Sequence, residues 1–250
     1  MLNVKNGIVL TGCLAAMLGT FACNKTTQEA SKTTTENGTS TAPSGSEAKR
    51  ADTALVRFVN ATLDPKDIFF GDTKPVSNLA AGSVTPYMQL PTERHEFKLF
   101  DAGRSTGDPL STDSEGPSAG SHYTVVAMMK EDGKPALNVI SDDLDRPTPG
   151  KAKIRVIHTA PGVGDVDVYP INGKDALISG VGFAKAASYK EVDPGITELD
   201  VRRHGSKRDE LKVKDVHLDP DKLYTVILMG GKGQPLTANV IEDQLVNSVG

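Results

Sequence analysis

From residue 152 onward, apolar and polar residues alternate in short runs: KIRVIH, DVDVY, ASYKEV, TELDVRR, LKVKDVHL, LYTVILM and LTANVIE. The runs are rich in Val, Ile, Tyr and Thr, and Gly, Pro, Asp and Asn break them, which is strand chemistry. DVDVY alternates as a strand with one buried face should. LYTVILM is apolar at both parities, as expected of a central strand covered on both sides. GGKGQ at 230–234 and EDGK at 131–134 supply hairpin turns ahead of the last strands. No stretch carries a helical period, so the pattern predicts an all-β chain.

The pattern is also written twice. ALVRFVNA at 54–61 matches AKIRVIHT at 152–159, and DIFF at 67–70 matches DVYP at 167–170. Tyr87 corresponds to Tyr189, HYTVV at 122–126 to LYTVI at 223–227, and NVISDDL at 138–144 to NVIEDQL at 239–245. The offset drifts by only a few residues, so the chain holds two copies of a domain of about 90 residues. Seven short strands per copy predict two tandem immunoglobulin-like β-sandwich domains, over 52–146 and 150–250, joined by DRPTPG. Tyr224, after LDPDK, and Tyr123, after PSAGSH, sit where a tyrosine corner would bond back to the preceding turn. The expected core includes Val56, Phe58, Val125, Val139, Ile154, Val156, Val168, Val226 and Val240. In the first copy PLSTDSEGPSA replaces LKVKDVHLDP, so its fifth strand is expected to be lost or short. The second copy is therefore expected to be the sturdier one and to fold alone.

Ahead of the repeats, Lys5 leads into IVLTGCLAAMLGTFA, a run shorter than the roughly 20 residues a spanning helix needs. It reads as a signal peptide over 1–22, with cleavage before Cys23. The chain has two cysteines. Processing would leave Cys23 as the mature first residue, with no partner for a disulfide and a natural use as a lipid anchor. Thr20 departs from the Leu usual three residues before such a Cys. Residues 23–51, Thr/Ser-rich and poor in apolar residues, form a disordered tether. The expected location is the bacterial cell envelope, lipid-anchored, with Asn24 favouring the outer membrane where the host has one.

Composition removes some functions. A net charge of −4 does not favour nucleic acid. Trp is absent and aromatics are 5%, so the flat platforms common in sugar-binding clefts are missing. Gly116-Pro117-Ser118-Ala119-Gly120 matches the G-x-S-x-G nucleophile elbow, but that motif needs a strand before Ser118 and a helix after it, and here a strand follows. The five histidines lack metal-ligand spacing. His158, opposite Asn60 in the other copy, reads as a hydrogen-bonding residue at a strand end. Asp142, Asp143, Asp145, Asp165 and Asp167 gather near the domain junction, where Ca²⁺ is one reading and solvated turn carboxylates the other. Arg202, Arg203, Lys207 and Arg208 sit in one hairpin tip, either as an anionic contact or as a solvated turn.

An opening strand such as IRVIHTAPG, an Asp-Val-Tyr strand and a Tyr-Thr-Val strand after a small-residue turn resemble the bacterial domain of unknown function 4397. IRVIHTAPGVGDVDVY at 154–169 carries the resemblance, and the first copy departs from it at NATLDP and DIFF. The resemblance implies an extracytoplasmic β-sandwich of exported and surface proteins, and no activity. The expectation is a non-enzymatic envelope lipoprotein without cofactor, held to the membrane by acyl chains, whose two domains bind an envelope protein or polysaccharide. The alternatives are a calcium-dependent adhesion rod and a serine hydrolase using Ser118.

Overall fold

The computed structural model describes residues 53–93, 96–114 and 116–244, all strand, turn or loop. The first domain runs β1 (Thr53–Asn60), β2 (Lys66–Phe70), β3 (Thr73–Leu79), β4 (Met88–Pro91), β5 (Phe97–Asp101), β6 (Ser111–Asp113), β7 (His122–Met129) and β8 (Pro135–Asp142). The second runs β9 (Ala152–His158), β10 (Val166–Pro170), β11 (Ile178–Val181), β12 (Lys185–Ala186), β13 (Lys190–Val192), β14 (Glu198–Arg203), β15 (Asp209–Lys214), β16 (Leu223–Gly231) and β17 (Gln234–Asp243). Each domain is a sandwich of two sheets, ordered β4-β1-β7-β8 over β3-β2-β5-β6 and β12-β9-β16-β17 over β11-β10-β14-β15. β13 continues the edge along β9 that β12 begins. β1 and β7 pair in parallel, as do β9 and β16, and the other ladders are antiparallel.

The tandem all-β sandwiches are those the strand pattern predicts, with two refinements. The order within each sandwich differs from the ABED and CFG sheets of immunoglobulin constant domains, since the first strand lies inside its sheet, between the domain's fourth strand and its penultimate one. The doubtful strand of the first copy survives as the three-residue β6, against six residues in its counterpart β15. Both tyrosine corners form: the Ser118 amide donates to the Tyr123 hydroxyl at 3.1 Å and the Asp219 amide to that of Tyr224 at 2.9 Å.

Strand alternation then places the third hydrophobic cluster. Val56, Phe58, Val125 and Ala127 point into the first domain's own core, where Phe97 meets Phe58 edge-on and tilts against Phe70. Ile154, Val156, Val226 and Leu228 do the same in the second domain, among aliphatic neighbours. Of the expected core residues, Val139 and Val240 are only partly buried, because β8 and β17 lie at the edges of their sheets. The opposite parity carries Val59, Val126 and Met128 from one domain and Ile157 and Ile227 from the other, which pack together as one cluster. The inner sheets therefore face each other, and the two sandwiches together stack four sheets. That is why β7 and β16 are apolar on both faces.

Candidate functional site: the buried junction of the two domains

An arginine sits mid-strand in each opening strand, flanked by apolar residues. Arg57 and Arg155 point away from their own cores, toward the other domain, and are 3% and 2% exposed. Arg57 Nη1 meets Asp243 Oδ1 at 2.5 Å, and Arg155 Nη2 meets Asp142 Oδ1 at 2.5 Å. Each ion pair joins the first strand of one domain to the last strand of the other, so the two are related by a pseudo-twofold. Each carboxylate also accepts from hydroxyls of its own domain: Asp142 from Tyr87 and Thr124, Asp243 from Tyr189 and Thr225, all at 2.7 Å. Arg57 Nε donates to Thr124 at 2.8 Å and Arg155 Nε to Thr225 at 2.9 Å. The guanidinium carbons lie 4.9 and 4.7 Å above the Tyr87 and Tyr189 rings, close enough for cation–π attraction.

The electrostatics follow from burial. Desolvation works against the charge on Arg57 and Arg155, but Asp243 and Asp142, helped by the other acidic groups of the network, hold both guanidiniums above their ordinary value. Burial first, and then the neighbouring carboxylates, push the Tyr87 and Tyr189 phenols far up, so both stay hydrogen-bond donors. Two amides repeat the symmetry at the rim: Asn138 Nδ2 donates to the Ala184 carbonyl at 2.9 Å and Asn239 Nδ2 to that of Gly82 at 3.1 Å. Ion pairs removed from water repay their desolvation only when the geometry is good and remaining polar atoms are satisfied. Here those conditions are met, and the constellation fixes the register of one domain on the other.

The residues singled out in the sequence are dispersed. Asp142 belongs to the junction. Asp143 and Asp145 are exposed beside it, around a polar cleft of about 320 Å³ also lined by His122. Asp167 is buried and acts as a loop anchor, accepting from Ser179 Oγ at 2.7 Å, the Gly180 amide at 2.8 Å and His204 Nδ1 at 2.9 Å. Asp165 is exposed, and its carbonyl accepts from the His204 amide. Asp142 and Asp167 thus have other partners, and among the described residues no three metal-ligating side chains meet. Ser118 is exposed in the turn before β7, which supplies neither the preceding strand nor the following helix of an elbow. In the hairpin tip Arg202 pairs with Asp209 and Asp200 over the Tyr169 ring, and Arg203 pairs with Glu210, while Lys207 and Arg208 are exposed. Cys23 and the tether lie outside the described residues. His158 fills the strand-end role expected of it, with Nε2 2.8 Å from the Gly164 carbonyl and Nδ1 3.3 Å from the Ala160 amide.

Sequence reasoning missed the arginines, threonines and last-strand aspartates as a set. The signal was present: an arginine within a run of apolar residues, at the same place in both copies.

The family model described as Domain of unknown function (DUF4397) matches residues 54–169 and again 154–249. The chain belongs to this family. The first match covers the first sandwich and runs on into the opening strands of the second, the second match covers the second sandwich, and the family description assigns no activity. No curated protein matches the chain. One solved structure, a "putative cell adhesion protein" from Bacteroides uniformis ATCC 8492, aligns over 78% of this chain and 98% of its own at 12% identity, with a TM-score of 0.24. A likeness that slight carries no argument about fold or function.

Proposed function

We propose that this protein is a non-enzymatic lipoprotein of the bacterial envelope that presents its two DUF4397 domains as one rigid binding module. The reciprocal pairs Arg57–Asp243 and Arg155–Asp142 are the observation that carries this reading. They tie together the domains of a chain whose strongest buried polar constellation serves packing. Relative domain motion is the default for tandem domains unless the interface is large and apolar. Here an apolar cluster and a closed polar network both oppose it. The Cys23 thiol would carry the acyl chains, and residues 24–50 would set the module off from the membrane. A protein partner suits the surface better than a polysaccharide, because Trp is absent.

The test is made on envelopes of cells expressing the full chain. Mass spectrometry should find Cys23 as an acylated mature N-terminus, and crosslinking should capture a saturable envelope partner. An unmodified N-terminus at another residue would remove the lipoprotein. Stoichiometric labelling by a serine-reactive phosphonate, lost in Ser118→Ala, would replace the binding module with a hydrolase.

A further inference from the structure

β1 and β9 run toward the same end of the module. There the loops after them, 61–65 and 159–165, meet the hairpin tips 130–134 and 230–234. The tips interlock: the Gly162 amide donates to the Glu131 carboxylate at 2.9 Å, and the Lys232 ammonium donates to the Glu131 carbonyl. The backbone is close-packed as well. Gly231 has φ +76°, and a Cβ there would stand 2.4 Å from the Pro161 carbonyl oxygen.

A mainly apolar cleft of about 140 Å³ opens at this end, its walls including Ala61, Leu63, Met129, Pro161 and Gly230. A second cleft of about 310 Å³ adjoins it across Ala61 and Leu63 and reaches Met229 and Pro235. Leu63 between them is 58% exposed, the highest value among the large hydrophobic residues of the described chain. Methionine walls adapt to what enters, because the unbranched thioether changes rotamer easily. Charge narrows the choice further. Of the residues lining the two clefts, Lys130 and Lys232 are charged and no carboxylate is among them, in a chain whose net charge is −4. Three acids flank the lining residues in sequence: the Glu131 carboxylate is engaged by the Gly162 amide and that of Asp132 by the Lys134 amide, while Asp64 is exposed beside Leu63.

We propose that this apical cleft docks a polypeptide segment that inserts one aliphatic side chain beside Leu63 and sets an adjacent carboxylate against Lys130 and Lys232. The smaller cleft has the volume of a single branched side chain, since a cavity near 150 Å³ holds a benzene. An aliphatic–acidic segment satisfies the apolar walls and the cationic rim together. The assignment rests on the binding-module reading and supplies its partner chemistry.

The experiment uses the full mature chain with ¹³C-methyl methionine. Met88 and Met128 report away from the clefts, and Met129 and Met229 report from within them. Titration with blocked aspartyl-leucyl-aspartate should shift Met129 and Met229 and leave Met128 unmoved. The seryl analogue, and the peptide with lysines in place of the acids, should each bind at least about tenfold more weakly. Leu63→Ser should weaken binding in the same way. The pair Lys130→Glu and Lys232→Glu should reverse the preference for acid, and Lys130→Glu alone, which keeps the Lys232 contact to the Glu131 carbonyl, should weaken acid binding, with circular dichroism and thermal melting used to check that each variant folds. Four outcomes overturn the proposal: no shift at millimolar peptide, equal binding of the lysyl peptide, shifts that grow with protein concentration alone, or shifts caused only by anionic vesicles. The third would identify a second copy as the occupant and the fourth a membrane surface. A failed titration beside a retained envelope crosslink would remove the cleft and keep the module. Loss of the crosslink as well would remove both.

Discussion

Asn60 and His158 end the first strands of the two domains and hold the same turn by different chemistry. Asn60 accepts from the Thr62 amide and donates to the Asp64 and Leu79 carbonyls. His158 accepts from the Ala160 amide and bonds to the Gly164 carbonyl. The same contrast runs through the copies. The inner faces keep Arg, Thr, Tyr and Asp at matching positions. The outer layers differ, with a Phe-centred core and a short β6 in one, an aliphatic core and a full β15 in the other. An outer core can repack as long as its volume is kept. One member of an inner ion pair cannot change alone without leaving a buried charge unmatched across the junction. Unequal constraint therefore follows from which face meets the other copy.

The largest test of that view is removal of one carboxylate. Asp243→Ala strands Arg57, and Asp142→Ala strands Arg155, each at a cost of about 3–5 kcal/mol. Against a typical margin of 5–15 kcal/mol either change should be severe in chemical denaturation. The two losses should be nearly equal, since the partners are equivalent. A clearly smaller loss for one would break the pseudo-symmetry as an energetic statement. Replacing both partners, Arg57→Met with Asp243→Leu, should cost less than either aspartate alone, because no charge is left behind. The same pairs bear on the expected independence of the second domain. Its sheets are the fuller ones, but Arg155 finds its ion-pair partner in the first domain, and a lone second domain would expose the apolar inner face carrying Ile157 and Ile227 to water. The intact chain should unfold in one transition.

How far the sequence reached depends on the range of the interaction. Strand periodicity and turn chemistry are local, so the two sandwiches, both hairpins and both tyrosine corners were legible. The strand order was less so, because the parallel pairing of β1 with β7 joins residues some 67 apart and leaves no local mark. The junction spans longer separations still: Arg57 and Asp243 are 186 residues apart. Their signal lay in a misfit, a charged residue where the period called for an apolar one. The aspartates for which Ca²⁺ was one reading and solvated turn carboxylates the other were hard to place for the complementary reason. Proximity in sequence placed Asp142 and Asp167 together, while the fold gave one to Arg155 and the other to a loop.

The next effect separates Asn60 from His158 by pH. Burial lowers the His158 pKa below its ordinary value of about 6.5. The acceptor role of Nδ1 toward the Ala160 amide adds to this, because a proton there would face an N–H donor. A depressed histidine pKa contributes stability that is present above the unfolded value and lost as pH falls through the folded one. Amides of 159–165, corrected for their intrinsic exchange rates, should therefore be less protected at acidic pH than at neutral pH, while the protection of those of 61–65 should show no such step. His158→Asn should flatten the difference. His158→Ala should cost about 1–3 kcal/mol at neutral pH through the unsatisfied polar groups it leaves. A low-pH step of equal size in both loops would count against the contrast.

The smallest effect lies on the outer sheets, at the buried aspartates Asp67 and Asp167. Both are held below the usual carboxylate range: burial opposes this, but backbone and side-chain donors outweigh it. Their cationic partners differ, with Lys74 3.2 Å from Asp67 and His204 2.9 Å from Asp167. The hydrogen bond to Asp167, and then its charge, raise the His204 pKa above its ordinary value. A raised histidine value contributes stability in full below about 6.5 and loses it as pH climbs through the folded value. The Asp167 contribution behaves oppositely, present above its ordinary carboxylate value and lost in acid. The second domain's anchor is therefore fully charged only between those limits. The first domain's anchor has an ammonium in place of an imidazole. Because His204 is exposed, solvent screens the pair, and the readout should be titration by NMR. His204 should titrate above the unstructured reference, and Asp167→Asn should bring it back down. A His204 titration unmoved by Asp167→Asn would show that the outer anchor of the second domain does not hold in solution as it stands here.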